Sequence, residues 1–264
     1  MALPEPVPVQ AAATRVAPLI DPVFISDLHL APDRPRTILR FARFLREDAA
    51  RYRELVILGD LFEFWIGDDA AAPVAPVLAS LAQIAARGRR LLVMHGNRDP
   101  LLGVSFERVT RCQLIADPVV VEVAGTPTLL AHGDAWCTQD TAYQQFRTMV
   151  RDPVWQRSVL TRPVEERLAM ARAARAESEA AKGGKSMEIM DVTPTAVEAA
   201  LHEAGVHRLI HGHTHRPAAH ELMVGGTRCE RWVLPDWDYD SPGDPRGGYL
   251  DFVEGQPRLV LFED

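Results

Sequence analysis

Five short stretches of this chain carry residue types able to do chemistry together: Asp27-Leu28-His29, Gly59-Asp60, Gly96-Asn97, His132-Gly133 and His211-Gly212-His213-Thr214-His215. Each closes an apolar run. Carboxylate, amide oxygen and imidazole without any thiolate suit Mn²⁺, Fe²⁺ or Zn²⁺ better than a soft metal. Asp27 and His29 are spaced so that, in an extended or turning backbone, both converge on one ion. Three histidines in five residues at the end of a strand-like run have no packing explanation, and imidazole is a common metal ligand. Asp60 is the natural carboxylate to bridge two ions. Around it, Asp27, His29, Asn97, His132, His213 and His215 supply three further ligands on each side, for two cation sites roughly 3.5–4 Å apart. Such a pair holds a hydroxide ready at neutral pH and stabilises charge on a phosphoryl oxygen in flight.

A sheet must position these groups. Val23-Phe24-Ile25, Val56-Ile57-Leu58, Leu91-Leu92-Val93-Met94, Leu129-Leu130-Ala131 and Leu209-Ile210 read as buried strands. Their ligands then stand at strand carboxyl ends, where open α/β sheets bind. Helices are expected over 37–52, with Ile38, Phe41, Phe44 and Leu45 as its apolar stripe, over 76–87 before the terminator Gly88, and over 194–204. Val119–Val123 and Pro127–Ala131 form a hairpin around Gly125. The aromatics of Phe62-Glu63-Phe64-Trp65 read as loop-over-core packing, and Asp68 and Asp69 as solvated or capping. Arg231–Leu234 and Arg258–Phe262 are expected to complete a second sheet.

Residues 135–195 differ in character, being helical and strandless. Tyr143, Phe146 and Val150 share a helical face, as do Trp155 and Val159, and Val164 and Leu168. Seven arginines (147, 151, 157, 162, 167, 172, 175) face only Asp152, Glu165 and Glu166. This reads either as solvated helix faces or as a lid near an anionic surface or substrate. Lys182-Gly183-Gly184-Lys185-Ser186 is a basic loop able to approach phosphate, without a complete P-loop pattern.

Composition sets the bounds. A length of 264 residues suits one large domain with an insertion, and 47% hydrophobic with 25% charged residues is ordinary for a soluble protein. The net charge of -7 argues against general nucleic-acid binding. Cys112, Cys137 and Cys229 form neither a disulfide framework nor a zinc pattern, which fits a reducing cytosol. Residues 1–20 lack the charged start and unbroken apolar core of a signal peptide and read as a loosely ordered extension. The richest apolar stretch, Ala70 to Ala86, is interrupted by Pro73 and Pro76, so any membrane role is peripheral.

The five motifs, in this order, resemble those of the calcineurin-like metallophosphoesterases. The resemblance implies an α/β fold, a four-layer αββα sandwich, with a helical lid insertion at about 137–193 in a domain spanning 21–264. By analogy Asp27, His29, Asp60 and His215 hold one metal and Asp60, Asn97, His132 and His213 the other, leaving His211 without a metal role.

The longer segments Phe24–Leu30, Leu58–Glu63, Trp65–Asp69, His95–Asp99 and His211–Pro217, with Ile189–Val192, resemble one branch closely, the UDP-2,3-diacylglucosamine hydrolases of lipid A biosynthesis. That branch implies two Mn²⁺ per chain and cleavage of a pyrophosphate to UMP and a diacylglucosamine 1-phosphate. It implies a lipid-linked nucleotide as partner, a cytoplasmic location and peripheral association with the inner membrane. Asn97, Arg98 and His132 match its catalytic positions, and Asn97, Arg98, Asp140, Ser178, Lys182, Lys185 and His213 its substrate-binding ones. Many relatives in the wider family carry a His where Arg98 stands. Arginine cannot serve as a general acid, which favours a leaving group that hardly needs a proton, such as a sugar phosphate. Lys182, the long amino-terminal extension, and Pro235 before Asp236 depart from the branch's pattern. The alternatives are a phosphoesterase for soluble nucleotides, which would need no apolar chamber of the kind Trp155, Val159 and Leu168 suggest, and a scaffold that has lost catalysis, which the intact ligand set opposes.

Overall fold

Strand side chains alternate between two faces, so a run apolar at every position must be covered on both. The computed structural model, which describes residues 15–182 and 191–263, shows this covering. The runs become β1 (Pro22–Ile25), β2 (Glu54–Leu58), β3 (Arg90–Met94) and β4 (Gln113–Ile115) in one sheet and β5 (Val119–Val123), β6 (Thr126–Ala131) and β7 (Arg208–His211) in another. The chain adds β8 (Ala218–Val224), β9 (Thr227–Val233), β10 (Gly248–Val253) and β11 (Gln256–Leu261). The strand orders are β11-β10-β1-β2-β3-β4 and β5-β6-β7-β9-β8. β1 to β4 run parallel, as do β6, β7 and β9.

Three apolar interfaces make four layers. Val23, Ile25, Leu55, Ile57, Leu91 and Val93 point outward from the first sheet onto α1 (Pro35–Glu47), α2 (Ala75–Ala86) and α3 (Val104–Thr110), where Phe41, Phe44, Leu81, Ile84 and Phe106 are buried. The alternate residues Phe24, Val56, Leu58, Leu92 and Met94 meet Val119, Val121, Val123, Leu130 and Ile210 of the second sheet. Leu129, Ala131 and Leu209 then face Val197 and Leu201 of α7 (Pro194–Ala204). The expected αββα sandwich is present.

Three expectations are corrected. Arg258–Phe262 contributes β11 to the first sheet, not the second, because β10 pairs antiparallel with β1 and hands the chain to its neighbour. The helix expected over 37–52 ends at Glu47, and a separate 3-10 turn spans Ala49–Arg51. The expected loose extension over 1–20 is docked at its end. Leu19 is fully buried, its N–H donating to the Glu122 carbonyl at 2.8 Å, and the N–H groups of Ile20 and Asp21 donate to buried Glu54 at 3.2 and 2.9 Å.

The described residues of the insertion form three helices, α4 (Thr141–Val150), α5 (Pro153–Leu160) and α6 (Val164–Lys182). Asp140 and Asp152 begin the first two, each side chain accepting a first-turn N–H, which satisfies donors that a helix start otherwise leaves unpaired. On α6 the expected apolar face is barely covered, Val164 being 37% exposed, whereas Arg167 is buried.

Candidate metal centre

The turns after β1, β2, β3, β6 and β7 meet at one place. Asp27, His29, Asp60, His213 and His215 all have left-handed backbone, with φ of 55°, 49°, 51°, 68° and 54°. That region costs a non-glycine residue about 1–2 kcal/mol. Strain of this kind concentrates at functional sites, and here it falls on five of the seven expected ligands. Two motif glycines serve a different need. A Cβ on Gly96 would lie 2.1 Å from Asp60 Oδ1 and 2.2 Å from Asp60 N, and one on Gly212 2.3 Å from Asp27 Oδ2. Neither glycine needs a positive φ; each lets two turns touch.

The ligand atoms form two groups sharing Asp60. Asp60 Oδ2 lies 3.9 Å from His29 Nε2, while Oδ1 lies 3.7 Å from His132 Nε2. On the first side, His29 Nε2 is 3.4 Å from His215 Nε2, and His215 Nε2 is 3.4 Å from Asp27 Oδ1. On the second, Asn97 Oδ1 stands 3.0 Å from His132 Nε2 and 3.1 Å from His213 Nδ1. Candidate ligand atoms of Asp27, His29 and His215 lie within 4.8 Å of one another, as do those of Asp27, Asp60 and His132. Asp27 Oδ2 accepts from Ser26 Oγ at 2.6 Å and from the His213 N–H at 2.8 Å, leaving buried Oδ1 without a hydrogen-bond donor among the described residues.

Electrostatics point the same way. Burial pushes the Asp60 carboxyl up to about 7, reinforced by nearby Asp99 and Asp27. Burial would lower His132, yet Asp60, Asp134 and Asp27 outweigh it and raise the imidazole to about 9. Burial, with His132 beside it, brings His213 down to about 3. A buried centre where a carboxylate is driven toward neutrality and an orphaned carboxylate oxygen faces imidazole nitrogens is one that a divalent cation would satisfy. The donor set fits two such ions. His211 is also buried and held near 3 by desolvation and Arg231, but its Nδ1 is bonded to the Gly212 carbonyl at 2.8 Å.

Several supporting residues were given no part in the centre by the sequence. Asp99 accepts the Leu61 and Gly96 N–H groups, each at 2.8 Å, and so ties the β2 turn to the β3 turn. Asp117 accepts the His132 N–H at 3.0 Å. Tyr143 donates to Asp134 at 2.6 Å, its ring 5.6 Å from that of His213. Arg147 pairs with Asp134 at 3.0 Å and Asp117 at 3.1 Å, and Arg151 reaches Asp117 at 3.2 Å and the His95 carbonyl at 3.1 Å. Against burial, the charges of His132, Arg151 and Arg147 hold the Asp134 carboxyl well below the usual carboxylate range. Asp99 and Asp134 stand beside the motif residues and could have been flagged; Asp117 has no local signal.

This network corrects the reading of the insertion's charge. Arg147, Arg151, Arg167 and Arg175 neutralise Asp134, Asp117, Asp69 and Glu63 of the surrounding domain, and Arg162, in the turn before α6, pairs with Glu166 in that helix's first turn. Arg157 and Arg172 are left exposed. Asp69 is therefore not merely solvated. Asp68 accepts from Trp65 Nε1 at 3.0 Å, Gly103 N–H at 3.1 Å and Phe106 N–H at 2.9 Å, and so caps α3 from a distance. Phe62, Trp65 and Phe106 form a buried aromatic cluster, as expected of loop-over-core packing.

Of the expected substrate contacts, Arg98 is half-buried beside the centre, with its N–H donating to Asp60 Oδ1 at 2.8 Å. Asp140 caps α4, accepting the Tyr143 N–H at 3.2 Å, and Ser178 is half-buried on α6. Lys185 and the Lys182 side chain lie outside the described residues.

This sandwich, with its ligands at strand carboxyl ends, belongs to the calcineurin-like phosphoesterases, whose family pattern matches residues 22–217. Within that family the chain is similar to proteins named UDP-2,3-diacylglucosamine hydrolase. That of Bordetella pertussis is 51% identical over 228 residues, covering 85% of this chain and 88% of the relative. The Aromatoleum aromaticum protein is 48% identical over 240 residues, 90% of this chain and 96% of the relative, and the Cellvibrio japonicus protein 46% over 220, covering 83% and 92%.

Proposed function

We propose that this chain hydrolyses the pyrophosphate bond of UDP-2,3-diacylglucosamine to UMP and 2,3-diacylglucosamine 1-phosphate (lipid X) in lipid A biosynthesis, with water attacking the α phosphorus. The observation that carries this is a pair of N/O ligand groups sharing Asp60, in a chain about half identical to hydrolases of that name over most of its length. Asp27, His29, Asp60 and His215 hold one Mn²⁺, and Asp60, Asn97, His132 and His213 the other. When bound, such a pair supplies Lewis acidity and lowers the pKa of water toward neutrality.

The chain's own groups do the rest. Asn97 Oδ1 and His132 Nε2, 3.0 Å apart, set the floor on which the phosphoryl group lies. Arg98, permanently charged, binds phosphate oxygens through its planar fork and stabilises charge as the bridging bond breaks. The sugar phosphate departs as an anion and needs no acid. His213, Asp140, Ser178, Lys182 and Lys185 hold the polar part of the substrate.

The insertion over 137–193 shelters the acyl chains. Met149, Val154, Val164 and Met170 are exposed on helices that also carry Arg157 and Arg172, a combination suited to an anionic bilayer surface. No described helix is long and apolar enough to cross a membrane. The protein accordingly works at the cytoplasmic face of the inner membrane as a peripheral enzyme.

Hydrolysis of UDP-2,3-diacylglucosamine with Mn²⁺ in ¹⁸O-water, read by mass spectrometry, tests this. Label in UMP supports both substrate and site of attack. Label in lipid X keeps the substrate and overturns the direction. Cleavage of soluble phosphodiesters alone rejects the lipid substrate while leaving the metal centre.

A further inference from the structure

The four imidazoles of the centre are not held alike. His29 and His215 turn their Nε2 atoms toward each other, 3.4 Å apart, and their Nδ1 atoms toward separate buried carboxylates. His29 Nδ1 lies 3.6 Å from Glu63 Oε2, and His215 Nδ1 lies 3.4 Å from Asp236 Oδ2. Glu63 and Asp236 are 8% and 4% exposed. Each is anchored in turn by an arginine. Arg175, reaching in from α6, pairs with Glu63, and Arg246 Nε donates to Asp236 Oδ2 at 2.7 Å.

The second group is backed differently. His132 Nδ1 meets the neutral Leu58 carbonyl at 2.9 Å, and His213 turns Nδ1 itself toward Asn97 Oδ1. Of the acids near His132, Asp117 accepts its backbone N–H and Asp134 is bonded to Tyr143 and Arg147, so neither backs the imidazole ring. A carboxylate behind an imidazole keeps the proton on the far nitrogen, leaves the near one free to bind, and strengthens it as a donor; a carbonyl fixes the tautomer without adding charge. The ligands add to the asymmetry. The first group contains two carboxylates, Asp27 and Asp60, whereas the second shares Asp60 and completes its set with a neutral amide.

Resting on the reading of this centre as a divalent-cation pair, we propose that Glu63 and Asp236 are positioning residues that make the Asp27–His29–Asp60–His215 site the tighter of the two, so that it fills first. Catalysis then depends on cation entering the Asn97 side, and the chain spends part of its life with one ion only.

The test uses the full chain stripped with chelator and returned to half an equivalent of Mn²⁺. Anomalous diffraction should place the ion among Asp27, His29 and His215, and electron paramagnetic resonance should show an isolated six-line signal that broadens once the second equivalent couples to it. Glu63→Gln and Asp236→Asn, close in shape to the native residues, should weaken the tighter binding constant about 10–100-fold while the weaker one stays within about threefold, the principle being that such partners act only on the ligand they back. A residue needed only for folding would move both constants together or lower the metal-free melting temperature. An ion found first among Asn97, His132 and His213, equal occupancy of both sites, or variants that shift both constants equally would overturn the inference while leaving the dimetal reading intact. Failure to bind Mn²⁺ at all would overturn both. The diffraction arm needs no variant and stands if the substitutions disturb folding.

Discussion

Nε2 of His29 and Nε2 of His215 lie 3.4 Å apart across 186 residues of sequence, the first facing Asp60 and the second Asp27. Two imidazole nitrogens at that distance repel unless a proton or a cation stands between them. His215→Ala should therefore remove one of two equivalents of bound Mn²⁺ and lower turnover by more than about 100-fold, since even an outer partner of a ligand is worth 10–100-fold. Metal content by mass spectrometry beside initial rates checks this; retention of both ions would contradict it.

The cation competes with protons for four imidazoles. Ligating histidines must be neutral, and the surrounding carboxylates hold His132 protonated up to about 9 before any ion binds, so Mn²⁺ affinity should fall as pH is lowered through about 9 and below. Calorimetric titration at several pH values should show proton release on binding, and a flat profile would argue against histidine ligation.

Arg98 sits over the shared carboxylate with its backbone N–H bonded to Asp60 at 2.8 Å. Arg98→Ala should lower turnover about 100-fold, the scale for loss of one donor to developing charge, while bound Mn²⁺ stays unchanged. Because that backbone bond survives the substitution, loss of metal would contradict a role in phosphate binding.

Gly96→Ala forces a methyl group to within 2.2 Å of the Asp60 backbone nitrogen. The neighbour is backbone and cannot swing aside. A destabilisation of about 1–3 kcal/mol, the usual scale of overpacking, should accompany weakened metal binding, as read by thermal melts with and without Mn²⁺.

Asp240 caps α1 from 203 residues away, accepting the Thr37 N–H at 2.8 Å, the Thr37 hydroxyl at 2.7 Å and the Arg36 N–H at 3.0 Å. Burial raises its carboxyl, but those bonds outweigh it and hold it below the usual value. A carboxyl depressed in the folded state contributes its full stability above the unfolded value of about 3.9 and loses it as pH falls through the folded one. Asp240→Ala should cost about 1 kcal/mol at pH 7, and the gap between variant and parent in urea titrations should close as pH drops below about 4.

The candidate ligands stood out in sequence because each ends an apolar run, and a run's end is local information. Asp60, Asn97 and His132 needed only the strand before them to be noticed. Asp117 and Glu63 look like ordinary loop acids until folding sets them against His132 and His29. The seven arginines of the insertion invited a reading as free positive charge, because the acids that neutralise Arg147, Arg151, Arg167 and Arg175 lie 13 to 112 positions earlier in the chain, outside the insertion. Arg258–Phe262 was assigned to the wrong sheet for a similar reason: alternation shows that a strand exists, whereas its neighbour depends on where β10 returns.

The pairing of Phe24 with Leu250 gives the molecule a particular order of birth. A ribosome delivers β1 and β2 early, yet β1 stays an open edge until β10 arrives, and His213 and His215 appear only after the insertion has been made. A growing chain therefore has Asp27, Asp60 and His132 to hand before the two histidines that complete both groups. Neither candidate cation site is complete until β7 and the turn after it are in place, four-fifths of the way along the chain.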